Sequence, residues 1–392
     1  MTSEWHEVPL RELVGYISKG IAPSYAEEAS ESTIRVLNQK CNRNFRISYG
    51  DSRLHDTRKK KVPPERYVKP DDILINSTGA GTAGRIAQIE DVPSATTIDG
   101  HMILIRSNGK VTQKFLGYAL KAHQWEVLQL DEGSTGQTEL NRDRLLDEIM
   151  INYPVSLDEQ NAIVGTLESI DRKLIVNEQL NDNLQQQASA LFSSFYDWSN
   201  TEVRYTDLIQ ILGGGTPKTG ENTYWNGNIA FFTPKDVGTP YTLITEKTIT
   251  EEGLSHCNSR LYPVNTVFVT ARGTVGKVGM SGVPMAMNQS CYALVGKETH
   301  QLLVYFYTLK AVDRLKHKAS GAVFDAITTR DFESEQIMKL SDDDAKAFLC
   351  IAEPMFQKVL NNCIENLRLS TLRDSLLPKL MSGEVDVSAV KL

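Results

Sequence analysis

The sequence predicts an α+β chain: two mixed α/β domains, separated by a pair of long antiparallel coiled-coil helices and related by a pseudo-two-fold internal repeat. Three observations carry this. Residues 156–196 read as one amphipathic helix, with apolar side chains alternately four and three apart at Ile163, Leu167, Ile170, Leu174, Leu184, Ala188, Leu191 and Phe195. A shift of 185 positions finds the helix again, with Phe348, Ala352, Met355, Val359, Leu369, Leu376 and Leu380 on the seam. The same shift carries Asn177 and Asn181, the two polar places in the first seam, onto Asn362 and Asn366. Apolar a/d positions make a seam, and buried asparagines cost stability while fixing register, so each helix has an obvious partner in its own copy. Long repeats usually relate by a two-fold, which sets the pair antiparallel. A helix of about 38 residues runs on the order of 55 Å, the length of a spacer.

The chain then divides into a first domain at 1–155, a central helix at 156–197, a second domain at 198–340, and a distal helix with a tail at 341–392. The first domain opens on WHEVPLREL at 5–13, and β-like runs follow at 34–37, 73–75 and 102–105. Lys69-Pro70-Asp71-Asp72 and Ser107-Asn108-Gly109 are turn signals between them. A helix is expected over 112–130, with Phe115, Ala119, Ala122 and Trp125 on one face. Ser156 with Glu159, and Ser341 with Asp344, form the caps that start the two long helices. The second domain echoes the first most clearly where Gly81-Thr82-Ala83-Gly84-Arg85 meets Gly273-Thr274-Val275-Gly276-Lys277. Weaker echoes pair 133–137 with 318–322, and Ile149 with Ile337. Elsewhere the loops differ, as they should if two readers share one scaffold and differ in target.

Composition is that of an ordinary soluble protein, 41% apolar and 23% charged. No apolar run is long enough to span a membrane, the N-terminus does not read as a signal peptide, and the five cysteines form no C-x-x-C pair. A reducing cytoplasm is the expected setting. Formal net charge is −7, yet residues 33–69 hold eleven Lys or Arg against three acids, centred on Arg58, Lys59, Lys60 and Lys61. Acid collects on the helices instead, so a basic domain sits on an acidic frame.

Catalytic constellations are missing. GGGTPKTG at 213–220 resembles a phosphate loop, but Glu221 and Asn222 stand where a nucleotide-binding loop needs Lys and Ser or Thr. No dinucleotide fingerprint opens a helix, the seven histidines lack metal-ligand spacing, and no N-P-P-Y or D-P-P-Y run exists to hold a flipped base. No catalytic residue, metal ligand or cofactor of this chain is expected. The glycines of the G-T-x-G turns either let backbone N–H groups approach a phosphate or only serve tight turns. Arg272 suits guanine or phosphate, and Asn288 and Gln289 suit adenine or a backbone contact. Asp99 and His101 hold the matching place in the first domain.

With these residues in hand, the chain resembles the specificity subunit of type I restriction–modification systems. The likeness rests on Gly214-Gly215-Thr216-Pro217-Lys218, Tyr224-Trp225-Asn226-Gly227 and Thr233-Pro234-Lys235-Asp236-Val237, then on Arg272 to Lys277 with Asn288-Gln289. Asp158-Glu159-Gln160 resembles the start of that family's central helix, and LRDSLLPKLMSGE at 372–384 the end of its distal helix. It is looser over 1–80, where Lys19-Gly20-Ile21-Ala22-Pro23 stands in for the opening G-G-x-P motif. The resemblance implies a non-enzymatic subunit whose two target-recognition domains each read half of a bipartite double-stranded DNA site. It implies docking of two methyltransferase subunits and of restriction–translocase subunits, with S-adenosylmethionine, ATP and magnesium on those partners. Candidate DNA contacts are Arg35, Lys40, Arg43, Arg58, Lys59, Lys60, Lys61 and Arg85 in the first domain. In the second they are Thr216, Lys218, Lys235, Arg272, Thr274, Lys277, Asn288 and Gln289. The competing class is a protein-interaction scaffold that binds no DNA.

Overall fold

The computed structural model describes residues 4–132, 139–199, 201–238, 240–318 and 326–390. The chain divides into two compact units, Met1–Arg172 with Leu369–Leu392, and Lys173–Arg368. The long helices are Leu157–Trp198 and Asp342–Met381, so each contributes a segment to both units. Both begin where the local chemistry says. Ser156 Oγ accepts from the Glu159 amide at 3.4 Å, and Ser341 Oγ from the Asp344 amide at 3.1 Å, covering N–H groups a helix start leaves unpaired.

In the first unit, strand Met102–Ser107 lies between Val14–Lys19 and Ile73–Asn76, with Ile86–Gln88 beyond, all antiparallel. A smaller sheet runs Thr96–Ile98, Thr33–Leu37, Arg53–Asp56, Tyr25–Ala26, its first pair parallel. Strand Met102–Ser107 is buried over its first four residues, as a strand covered on both faces must be. The helix expected over 112–130 is two helices, Gln113–Ala122 and Gln124–Val127, broken at His123. Phe115 and Ala119 enter the core, but Trp125 is 74% exposed, because the break rotates it off the face that carries them.

The second unit repeats this plan. Ile209–Gly213, Cys291–Gly296, Val267–Thr270 and Val278–Ser281 form the larger sheet in the same order, and Met285–Met287 pairs parallel with Trp225–Phe232 in the smaller. A Cβ on Gly20 would lie 2.1 Å from the Asp99 carbonyl oxygen, and one on Gly214 2.3 Å from that of Asn288. Gly20 therefore does the work of Gly214, and the substitute motif seen in the sequence occupies the expected place. The flanking strands set Ile151 and Ile337 as the equivalent buried pair, two residues along from the pairing of Ile149 with Ile337. The echo between 133–137 and 318–322 lies, apart from Lys318, outside the described residues.

Within the second unit the two helices run antiparallel. Asn177 Nδ2 donates to Asn366 Oδ1 and Asn362 Nδ2 to Asn181 Oδ1, both at 2.8 Å, so partner numbers fall on one helix as they rise on the other. Asn177 also donates to Glu365 Oε2 at 2.8 Å. Further along, the most buried positions are Ala188, Phe192 and Tyr196, with Leu191 and Phe195 only half-buried. A 3.6-residue helix drifts against a strict heptad, and that drift turns Phe192 into the ring cluster of Phe306, Tyr307 and Phe348.

In the first unit the helix segments share an apolar cluster that includes Ile163, Leu167 and Leu380, and a charged contact stands beside it. Asp171 receives Arg373 at 3.0 Å, Lys121 at 3.3 Å and the Tyr118 hydroxyl at 2.8 Å. Burial pushes the Asp171 carboxyl up, but Lys121, Arg373 and Tyr118 outweigh it and hold the group below the usual range. Removing one partner of a buried pair leaves the others uncompensated. Asp171→Ala is expected to destabilise the protein by about 3 kcal/mol in urea titration at neutral pH. A depressed carboxyl contributes stability above its unfolded value of about 3.9 and loses it as pH falls below. The gap between wild type and variant should therefore close in acid.

Candidate nucleic-acid interface

Each unit places a groove where the small sheet's first crossing loop meets the turn that follows a central strand of the larger sheet. In the first unit the loop leaves strand Thr33–Leu37, and Asn38 caps the next turn by accepting from the Lys40 amide at 2.9 Å. The chain then makes a two-stranded ribbon, Asn42–Arg43 against Arg46–Ile47. Lys40, Arg43, Asn44, Thr82, Arg85 and Gln124 are among the residues lining the groove between ribbon and turn. Asn42 holds the two together, its Nδ2 donating to the Arg85 carbonyl at 2.8 Å and to Asn76 Oδ1 at 3.2 Å.

The second unit builds its groove from Thr233, Pro234 and Lys235, from Lys247, from Arg272 and Gly273, and from Asn288 and Ser290. Asp236 shapes the loop, its Oδ2 accepting from the Thr233 amide at 2.8 Å and the Thr233 hydroxyl at 2.6 Å. Lys235 occupies the place of Lys40. The Leu37 carbonyl accepts from the Asp99 amide and the Phe232 carbonyl from the Asn288 amide, and each lysine stands three residues after that carbonyl. Asp99 and Asn288 are matched as well, each accepting the amide two residues on, at 2.9 Å from His101 and 3.0 Å from Ser290. Burial pushes the Asp99 carboxyl up, whereas the neutral Asn288 amide keeps the same turn without charge.

The structure thus brings Lys40, Arg43 and Arg85 to one groove, and Lys235, Arg272 and Asn288 to the other. Thr274 backs the second, its hydroxyl donating to the Pro234 carbonyl at 3.2 Å. Thr216 and Gln289 hydrogen-bond each other, and Lys277 and Lys218 are exposed nearby in sequence on the turn and the opening loop. Arg272 makes no side-chain hydrogen bond or ion pair among the described residues, while Lys235 has Glu246 at 3.6 Å. Arg35 lines a separate hollow with Thr33, Ser52 and Ser94, donating to Ser52 Oγ at 3.1 Å. Arg58, Lys59, Lys60 and Lys61 follow strand Arg53–Asp56 and line neither groove. Arg58 is paired with Asp56 at 2.9 Å, whose carboxyl it draws down to about 2. Lys60 donates to the Ala22 carbonyl at 3.0 Å. Lys247 and Asn44 went unnoticed in the sequence. An isolated lysine carries no signal, and Asn44 is followed by Phe45 instead of the glycine that marks a hairpin.

The G-T-x-G turn of the first unit is closed by its own hydrogen bonds. The amides of Thr82, Ala83, Gly84 and Arg85 all donate to carbonyls of the turn or of Asn76, while the Gly81 amide has no backbone acceptor among the described residues. In the second unit Gly273 and Gly276 have φ of 81° and 74°, which glycine adopts without penalty. They differ in surroundings. A Cβ on Gly273 would meet only Pro234 Cβ at 3.9 Å, whereas one on Gly276 would lie 2.7 Å from Lys316 Cε and 3.1 Å from Val312 Cγ1.

Among the described residues no helix is long and apolar enough to cross a membrane, and no cluster of His, Cys, Asp or Glu is placed to hold a metal ion. The family model described as the type I restriction modification DNA specificity domain matches residues 2–186 and 197–339. The chain is 35% identical over 217 residues to the Escherichia coli EcoR124I/EcoR124II specificity subunit, covering 53% of each chain. It is 31% identical over 134 residues to the Methanocaldococcus jannaschii MjaIX specificity subunit, 33% of this chain and 31% of that one. With the Haemophilus influenzae HindI specificity subunit it shares 28% over 186 residues, 46% of this chain and 40% of that one. The chain thus spans about a third to a half of the length of these curated relatives. A crystal structure of a type I restriction–modification S subunit from M. genitalium shares the fold with a TM-score of 0.62 at 16% identity, over 97% of this chain and 96% of that one.

Gly273→Ala is expected to cost about 1–2 kcal/mol, the penalty of a left-handed alanine alone, and Gly276→Ala more, since its methyl must also displace Lys316 and Val312. Equal urea midpoints for the two variants would contradict this.

Proposed function

The chain belongs to the type I restriction–modification DNA specificity family, and from that premise we propose that it is the subunit that reads a bipartite double-stranded DNA site. Each unit reads one half-site through its groove. One observation carries the reading. Two grooves stand at the same point of a repeated frame, and the side chains around them differ. Each has a cation on its rim that makes no side-chain hydrogen bond or ion pair among the described residues, Lys40 in one and Arg272 in the other. A shared frame gives both units the same means of gripping phosphates, and different rims let them read different bases. The helix pair sets the spacing of the half-sites, since DNA rises about 3.4 Å per base pair. Two methyltransferase subunits dock on it, and restriction–translocase subunits join them. S-adenosylmethionine, ATP and magnesium reside on those partners. This chain works in the cytoplasm and contributes recognition and no catalysis of its own. A scaffold that never touches DNA leaves Arg272 and the Lys40–Arg85 rim without employment.

Adenine-methylation maps of cells carrying the operon with and without this gene test the reading. A two-part motif should be methylated only when the gene is present, and identical maps refute it. Gel shift with random duplex at low salt separates DNA reader from scaffold. Deleting four residues within 177–184 should change the gap between half-sites or abolish assembly, and an unchanged recognised sequence refutes the spacer role.

A further inference from the structure

Resting on the reading just given, we propose that the ribbon at 42–47 is the part of the first unit that enters the DNA major groove. We propose further that Asn44 at its tip is a base-reading side chain. Arg43 pairs with Arg46 across the ribbon, so Asn44 and Phe45 form a two-residue turn. Their φ values are 53° and 62°, the left-handed conformation at both central positions that the primed hairpin turn requires. Asparagine tolerates that region, but phenylalanine there is an outlier, and strain of this kind persists where the surroundings hold it for a purpose.

The surroundings do hold it. Asn42 is buried and tied to the Arg85 carbonyl, and the Ser48 amide donates to the Cys41 carbonyl at 2.8 Å to close the ribbon's base. Phe45 is half-buried and pairs its backbone with Ala87, and Lys121 Nζ lies 5.0 Å from its ring centroid. Phe45 is thus an anchor that faces inward. What faces outward is Arg43 and Asn44. Arg43 is splinted by the Lys40 carbonyl at 3.2 Å and by Asp51 at 3.6 Å. Asn44 makes no side-chain hydrogen bond among the described residues.

A rigid two-stranded ribbon fits a major groove about 12 Å wide, and Lys40 and Arg85 beside it suit the flanking phosphates. A free amide held at the tip presents one donor and one acceptor together, the pattern that pairs with adenine N6 and N7. Among its described residues the second unit has no such ribbon. Its chain between Trp225–Phe232 and Lys247–Ile249 instead adds Tyr241–Thr242 to the edge of the larger sheet. The ribbon is therefore particular to the first half-site.

The test is Asn44→Gly, which keeps a turn residue suited to positive φ while deleting the amide. Full-length variant and wild type are expressed with the methyltransferase subunit in a host lacking adenine methylases, and the host genome is mapped for methyladenine. The expected result is an unchanged second half-site, with discrimination at one position of the first relaxed at least about ten-fold. Should the variant methylate nothing, the purified complex is compared on wild-type site and random duplex. Lost preference with unchanged random-duplex binding supports the proposal, and equal loss on both overturns it by making the ribbon a mere clamp. A variant map identical to wild type, or a change confined to the second half-site, also overturns it. A wild type that methylates no two-part motif removes the premise and this inference together, whereas a wild type that does, matched by the variant, removes only the inference.

Discussion

A long amphipathic helix cannot leave its apolar stripe in water, and this chain covers each stripe with a second copy of the same helix and with the domain beside it. The polar layer at Asn177, Asn181, Asn362 and Asn366 decides how the copies align. In an apolar seam an unpaired amide is costly, so the favoured register is the one in which amides meet amides. Both copies carry asparagines at the same two places, four residues apart. In antiparallel pairing the first of one copy therefore meets the second of the other, and the layer is self-complementary as a two-fold contact must be. The layer is not free of cost, since Asn362 Oδ1 is buried without a partner. Stability is given up there for a single alignment.

Symmetry ends where the domains take hold of the helices. The shift that relates the copies carries Asp171 onto Phe356 and Ala188 onto Arg373. At these positions the contact in the first unit is ionic, with Asp171 between Arg373, Lys121 and Tyr118. In the second it is apolar, with Ala188 and Phe356 buried in a cluster that includes Tyr305 and Phe306. Each solution excludes the other. Placing Asp171 opposite an alanine would bury a carboxylate with no counter-charge, so each domain recognises its own stretch of helix although the helices are copies.

Local chemistry was legible in the sequence and long-range assembly was not. The caps at Ser156 and Ser341 act over three residues, so their pattern survives any tertiary context. The asparagine layer showed because the repeat printed it twice. The split at His123 did not show, since Trp125 keeps helical spacing from Phe115 and Ala119 and only packing turned it outward. Sheet order was hidden because pairings such as Val14–Lys19 with Met102–Ser107 and Ile209–Gly213 with Cys291–Gly296 join segments distant in the chain. Lys40, Arg43 and Arg85 were each readable as cations, but their common groove depends on Asn42 reaching the Arg85 carbonyl. The run at Arg58 stood out for the opposite reason. Dense charge in a sequence says nothing of geometry, and Arg58 is engaged with Asp56.

The same distinction reconciles a net charge of −7 with the proposed binding of a polyanion. Charges in water are screened beyond about 8 Å at physiological salt, so a phosphate entering a groove senses the rim and little else. The first rim carries Lys40, Arg43 and Arg85, with Asp51 at 3.6 Å from Arg43 as the acid paired to it. The second carries Lys235, Lys247 and Arg272 against the single Glu246. Acid lies instead at sites such as Asp342, Asp343 and Asp344, where three carboxylates favour the positive end of a helix dipole. Separating the signs in this way lets the acidic residues stabilise helix starts while the cations remain available at the grooves. On the proposed reading local charge, and not net charge, decides what the grooves hold.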